Sequence, residues 1–183
     1  MNKKLYLGLV HFPVYNKNKE IVTTSITNFD IHDISRSCQT FGVKKFFIIN
    51  PLKSQKDFLN RILHFWKKNK AINYNQFRVH ALSIIEYSKC IDSAINKIKN
   101  KEVDNPLIIT TTANTLNKQI DINKLKTIKT EKPLLFLFGT GNGLTQGIHD
   151  NADYVLKPIA GKNSYNHLSV RSAVAIILDR FTS

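Results

Sequence analysis

The chain has 183 residues, 42% of them hydrophobic, which is enough for one domain with a full core and too short for two large ones. Apolar runs stop well short of the ~20 residues of a membrane span, and two isolated cysteines, Cys38 and Cys90, argue against a disulfide framework or a zinc site and fit a reducing cytoplasm. Against 13 acidic residues stand 27 basic ones, and the net charge of +14 points to a polyanionic partner, nucleic acid first, although a Lys-, Asn- and Ile-rich composition also leaves room for lysines that only solvate the surface.

The start, MNKKLYLGLVHFPV, has a short apolar run cut by His11 and Pro13 and no small-residue cleavage site, so it reads as a strand over Leu5–Phe12, not a signal peptide. Tyr15 to Asn28 is polar and β-branched and reads as a long loop. Ile31, Ile34, Cys38 and Phe41 share a helical face, with Gly42 as the stop. Lys45–Asn50 is a second strand. Ser54 and Asp57 resemble a capping box for a helix carrying Phe58, Ile62, Phe65 and Trp66. The alternation over Phe77–Leu82 predicts a third strand, and Ile84–Lys101 a long helix with Ile91, Ala94, Ile95 and Ile98 inward. Leu107–Thr111 is a fourth strand, Asn123–Lys129 a short helix, Leu134–Phe138 a fifth strand and Tyr154–Leu156 a sixth. The last helix spans about Leu168–Phe181.

Strands alternating with helices predict an α/β fold, a mostly parallel sheet of about six strands covered on both faces. Runs such as FFII and LLFLF suit strands buried on both sides. In such sheets, ligands bind beyond the carboxyl ends of the strands. Three of those ends are unusual: TTTAN (Thr110–Asn114), FGTGNGL (Phe138–Leu144) and LKPIAGKNSYNHLS (Leu156–Ser169). Gly139, Gly141 and Gly143 lack the GxGxxG spacing and position of a dinucleotide fingerprint and the Lys-Ser/Thr pair of a P-loop. They make either a tight turn or a turn that lets backbone approach a ligand. The last helix is apolar on most sides (Val170, Ala173, Val174, Ala175, Ile176, Ile177, Leu178, Phe181), so it predicts a subunit interface. Asn163, Ser164, Tyr165, Asn166 and His167 precede it directly, where free helix N–H groups suit an anion, or where Asn166 merely caps the helix.

At these residues the chain resembles the SPOUT class of RNA methyltransferases, the α/β-knot enzymes that use S-adenosylmethionine. NFDIHDISRSCQTFGVKKFFIINP (Asn28–Pro51) resembles the first motif of the class, LLFLFGTGNGL its strand and glycine loop, and YVLKPIAGKNSYNHLSVRSAVAIILDRF its final motif. LVHFPVYNKN, ITNFDIHDISRS and FGTGNGL together resemble a small bacterial single-domain group of that class. The segment from Ser54 to Lys132 matches only in its strand–helix pattern.

The resemblance implies a single domain over 1–183 with a C-terminal trefoil knot, a feature that patterns alone would not predict because knots are very rare. It implies a homodimer with two sites at its interface, S-adenosylmethionine as cofactor, RNA (tRNA or rRNA) as partner and no metal. Thr111, Thr112, Phe138, Gly139, Thr140, Gly141, Asn142, Gly143, Leu156, Pro158, Ile159, Asn166, Leu168 and Ser169 would surround the cofactor, mostly through backbone groups. Arg36 matches the first-motif Arg and Asn166 the final-motif Asn, and Asn28, His32 and Asp33 lie on or beside the Arg36 helix. His32 and Arg36, four apart, share a face. His32 and Asp33 are conceivable bases or plain surface, and His11 could line the acceptor pocket. No role falls to His64, His80 or His149.

Two departures stand out. The ribose 2′-O-methylating branch carries a Glu in the glycine loop, where this chain has Thr140 and Asn142, and it carries an Asn where this chain has Asp30. Ribose methylation is thereby put in doubt, and base methylation stays open. Two other readings compete: a catalytically silent dimeric RNA-binding module of the same fold, and a flavodoxin-like binder of small ligands.

Overall fold

The computed structural model describes residues 3–163 and 165–183. In chain order the elements are β1 (Leu5–Val10), β2 (Val14–Tyr15), β3 (Ile21–Val22), α1 (Asn28–Thr40), β4 (Lys45–Ile49), α2 (Lys53–Trp66), α3 (Asn69–Tyr74), α4 (Gln76–Leu82), β5 (Ile85–Ser88), α5 (Ile91–Glu102), β6 (Leu107–Thr110), β7 (Gln119–Ile120), α6 (Ile122–Thr127), β8 (Leu134–Gly139), α7 (Gln146–Asp150), β9 (Tyr154–Leu156) and α8 (Val170–Thr182). Seven strands form one sheet in the order β5-β4-β1-β8-β6-β9-β7, and β2 and β3 pair separately as a hairpin. Every ladder of the large sheet is parallel. This order is not the flavodoxin order, because β8 lies between β1 and β6.

The continuous apolar runs have the predicted cause. Alternate residues of one strand feed two cores. Leu5, Leu7 and Leu9 pack with Phe136, Phe138, Ile31, Ile34, Val174 and Phe181 on the side of α1 and α8. Tyr6, Val10, Phe47, Ile49, Leu135 and Leu137 pack with Ala94 and Ile98 of α5 on the other. The end of α5 is tied down by Glu102, which accepts a 2.6 Å hydrogen bond from the Tyr6 hydroxyl and ion-pairs with Lys4 and Lys44 at 2.9 and 2.8 Å. Among the described residues, no helix is long and apolar enough to cross a membrane.

Several expected elements are corrected. Phe77–Leu82 is helical, within α4, because the Asn75 side chain accepts from the Arg78 N–H at 2.9 Å and opens a helix there. The third core strand is Ile85–Ser88, so the helix expected over Ile84–Lys101 starts only at Ile91. Ser54 caps nothing: α2 begins at Lys53 behind Leu52, with no side-chain cap bond. The first strand ends at Val10, the loop from Tyr15 to Asn28 contains part of a hairpin, and α8 begins at Val170 behind its cap Ser169. A two-residue strand, Gln119–Ile120, brings the sheet to seven.

Candidate active site

The carboxyl ends of β6, β8 and β9 meet the start of α8 around one cavity of about 590 Å³. The glycines at and just after the end of β8 shape its wall. A Cβ on Gly139 would stand 2.6 Å from the Leu144 nitrogen, so only glycine lets the loop fold back over the strand end. Gly141 has φ +58°, and a Cβ there would stand 2.8 Å from the Tyr15 carbonyl oxygen. The hairpin clamps this loop: Asn142 N–H donates to the Tyr15 carbonyl at 2.8 Å, and Tyr15 N–H donates to the Gly143 carbonyl at 2.9 Å. The loop is therefore fixed before any ligand arrives.

Behind the wall runs a chain of polar groups. The Thr140 hydroxyl donates to the Val10 carbonyl at 3.0 Å, and Thr24 Oγ1 lies 2.5 Å from Thr140 Oγ1 and 2.9 Å from His11 Nδ1. With the Thr140 proton on Val10 and the Thr24 proton on Thr140, Nδ1 of His11 carries the next one. His11 is fully buried and its Nε2 has no partner among the described residues. Burial pushes its pKa down to about 4, against the opposing pull of the Asp30 carboxylate. It sits behind Thr24, not in the cavity lining.

A second cluster joins α1 to α8. Thr27 caps α1, accepting from Asp30 N–H at 3.1 Å and donating to the Asp30 carboxylate at 2.5 Å. Arg171 reaches Asp30 at 3.2 Å and Asp33 at 3.4 Å, with its guanidinium 5.6 Å from the Phe29 ring centre. A cation in the first turn of a helix opposes the helix dipole. The two carboxylates offset that cost and fasten the two helices together.

The residues expected from the sequence divide clearly. Thr111, Thr112, Phe138, Gly139, Thr140, Gly141, Asn142, Gly143, Ile159, Asn166, Leu168 and Ser169 all line the cavity. Leu156 is buried behind it, and Pro158 lies between two lining residues, Lys157 and Ile159. Asn166 is half-buried in the wall and does not cap α8, since Ser169 does. His167 also lines the cavity, whereas Ser164 is outside the described residues. Arg36, Asn28, His32 and Asp33 are not in the lining. Arg36 and Asn28 are exposed on α1. Asp33 is engaged by Arg171, and His32 packs edge-on to Trp66, 5.5 Å between ring centres. Burial and the nearby Arg78 lower the pKa of His32.

Sequence reasoning passed over Thr24, Thr27 and Arg171 in the wall, and it noted Asp30 only as a departure. The Thr27 and Asp30 spacing of a helix cap was the available signal for two of them. Thr24 carried none, since its place depends on a pairing with Thr140, 116 residues away.

A parallel, doubly covered sheet with β8 inserted beside β1 and a clamped glycine loop at its carboxyl edge is the α/β fold that the SPOUT resemblance leads one to expect. Solved structures share that fold. The A. aeolicus TrmH/SpoU tRNA modifying enzyme superimposes with a TM-score of 0.58 at 15% identity, covering 99% of this chain and 74% of that one. An AdoMet-bound rRNA methyltransferase from Sinorhizobium meliloti gives 0.57 at 14% identity, covering 97% and 55%. A profile of the SAM-dependent RNA methyltransferase family matches residues 4–183, and the chain belongs to that family. With the sheet order, that membership sets aside the flavodoxin-like reading.

Among its relatives, a tRNA (guanine-N(1)-)-methyltransferase of Oleidesulfovibrio alaskensis is 37% identical over 97% of this chain, but the match covers only 42% of that protein. An uncharacterised protein of Aquifex aeolicus is 32% identical, covering 100% of this chain and 90% of its own length. The chain thus spans less than half of the named relative.

The cavity suits the cofactor of the family. Its volume of about 590 Å³ falls within the roughly 300–1000 Å³ of small-molecule sites. Gly143 has φ +104°, and a Cβ there would meet nothing within 4 Å, so the loop leaves open space where a ligand can approach backbone.

Proposed function

We propose that the cavity is the S-adenosylmethionine site and that the methyl group passes to a nucleotide of tRNA or rRNA brought to the seam between two copies of this chain in the cytoplasm. The observation that carries this reading is the convergence of three strand ends, the clamped glycine loop and the start of α8 on one cavity. When bound, the cofactor supplies an activated methyl on a sulfonium. The protein has only to hold the acceptor in line and take up a proton.

Thr111, Thr112, Phe138, Gly139 and Ile159 would hold the nucleoside portion, while Asn166, Leu168 and Ser169 close the cavity from the α8 side. Among the described residues, Asp30 is the carboxylate in the lining. It is the group placed to receive a proton from an acceptor nitrogen, and this favours a base over a ribose. Arg36, exposed on α1, would hold an RNA phosphate or an anionic acceptor at the mouth. Asn28 and His32 precede it on the same helix at four-residue steps. The same reading implies a trefoil knot in the C-terminal part of the chain.

The seam is supported by apolar groups that the single chain leaves uncovered near α1 and α8. Phe29 is 70% and Leu168 47% exposed. Both adjoin the cavity wall through Asp30 and Ser169, so a second copy seated there would complete the site.

The test is calorimetric titration with S-adenosylmethionine, followed by transfer of labelled methyl to tRNA and rRNA from a strain lacking the gene. Saturable binding and label in one RNA pool are expected. Absence of cofactor binding by the folded dimer overturns the reading.

A further inference from the structure

We propose that the α2–α4 flank is a docking surface for single-stranded RNA, with exposed aromatic rings stacking on bases and unpaired lysines taking phosphates. The proposal rests on the chain being an RNA methyltransferase, and it adds where the RNA is gripped away from the cavity. From Phe58 to Ile85 the sequence has no Asp or Glu, yet it contains Arg61, Lys67, Lys68, Lys70 and Arg78. Among the described residues, none of these five is in an ion pair. Elsewhere the same structure pairs Lys4, Lys44, Lys97 and Arg171 with carboxylates. Asp57, exposed on α2 just before that stretch, is the one acid from Lys53 to Leu82 against seven basic residues, so the flank is strongly of one sign.

Its apolar side chains are aromatic and turned outward. Phe77 is 89%, Tyr74 81% and Phe65 57% exposed. Tyr74 and Phe77 stand on either side of Asn75, where α3 ends and α4 begins. Phe65 meets Trp66 edge-on at 5.5 Å, and Arg78 lies 5.2 Å from the Trp66 ring centre. A core-seeking sequence hides such rings. Rings kept in water beside unpaired cations match the recognition of single strands, in which bases stack on aromatics and cations follow the backbone. A protein partner would call for carboxylates facing these cations, whereas an RNA strand supplies both the phosphates and the flat bases. The flank is also joined to the site: His32 of α1 packs on Trp66, and two residues earlier, on another face, the same helix bears Asp30 of the cavity wall.

The test is fluorescence anisotropy with a labelled oligouridine and with an RNA duplex. It uses the full chain and two variants, Tyr74→Ala/Phe77→Ala and Lys67→Ala/Lys68→Ala/Lys70→Ala. The ring variant is expected to lose roughly 10- to 100-fold in oligouridine affinity and far less for the duplex. The lysine variant is expected to lower the slope of log affinity against log salt by about 2, at roughly 0.7 per phosphate. Calorimetry with S-adenosylmethionine should be unchanged in both. Oligouridine affinity and salt slope equal to those of the parent, with cofactor binding intact, overturn the proposal. So does a change of oligomeric state in either variant by sedimentation, which would make the flank a contact between copies. A parent chain that binds cofactor but no RNA at low salt defeats the RNA reading itself, a distinct result.

Discussion

Around the cavity the chain turns its polar groups on itself. Asn142 and Gly143 are bonded to Tyr15, Thr140 to Val10 and Thr24, and Arg171 to Asp30 and Asp33. Across α2–α4 the lysines face solvent outside any ion pair among the described residues, and the Tyr74 and Phe77 rings stand clear. The first region is preorganised, as a site that must fix a small ligand and a reacting atom within tenths of an ångström has to be. The second is adaptable, as suits a long, variable polyanion. If that contrast is real, substitutions at the cavity should be costly and specific, and substitutions on the flank should leave stability alone.

The largest effect is expected at the glycine loop. Gly139→Val puts a side chain against the backbone of Leu144 and Gly143, at 2.6 and 2.9 Å for its Cβ alone. Neither is the movable end of a side chain, so the loop must leave its place over the strand end. Cofactor affinity measured by calorimetry should fall at least about 100-fold, roughly 2.7 kcal/mol. Parent-like affinity would move the site elsewhere. Arg36→Ala should act on the other half of the reaction. Arg36 is exposed and outside the lining, so cofactor affinity should stay within a few-fold while methyl transfer falls by roughly two orders of magnitude. A large loss of affinity would make Arg36 structural.

Both regions differ too in how openly they were written in the sequence. The cavity was legible because three strand ends carried signals of their own: threonines, glycines, and a Pro/Gly/Asn loop running into an apolar helix. The flank was not. FRVHAL alternates in the period of a strand, yet it forms α4, because the Asn75 cap decides the local backbone and no neighbouring strand offers a ladder. The core strand that follows, Ile85–Ser88, was hidden in a longer apolar pattern that also fits a helix. Asp30 and Arg171 were readable as residues but not as a pair, since 141 positions separate them and only the packing of α8 on α1 brings them together.

Acid should strike the cavity side first. Burial holds the folded-state pKa of His11 at about 4, below its ordinary 6.5. As pH falls through 6.5 the unfolded chain takes up a proton that the folded chain refuses. Stability is therefore complete above pH 6.5 and drains away down to about pH 4, by up to about 3 kcal/mol. His149, also lowered by burial, acts in the same direction. Urea unfolding at pH 7 and pH 4.5 should show the loss in the parent and a smaller one in His11→Gln. An equal loss in both would place the acid sensitivity elsewhere. Asp30→Ala should cost somewhat less at pH 7, about 2 kcal/mol. It removes a carboxylate whose side chain is 8% exposed and leaves Arg171, 36% exposed, able to turn toward water and keep Asp33.

The smallest effect sharpens the contrast most. Lys67 and Lys70 are exposed and, among the described residues, outside any ion pair. Lys44 is also on the surface, 39% exposed, but its ammonium is 2.8 Å from a Glu102 carboxylate that is 7% exposed and also accepts from Tyr6. Lys44→Ala should therefore lower stability by about 0.5–1 kcal/mol, the range of a half-exposed pair. Lys67→Ala and Lys70→Ala should stay within about 0.5 kcal/mol of the parent, and removing like charges from a chain of net +14 makes a slight gain as reasonable as a slight loss. A lysine that does nothing for the fold is free to serve a partner. If Lys67→Ala or Lys70→Ala unfolds as early in urea as Lys44→Ala, those cations are part of the folded chain's own bonding, and the two regions are built alike.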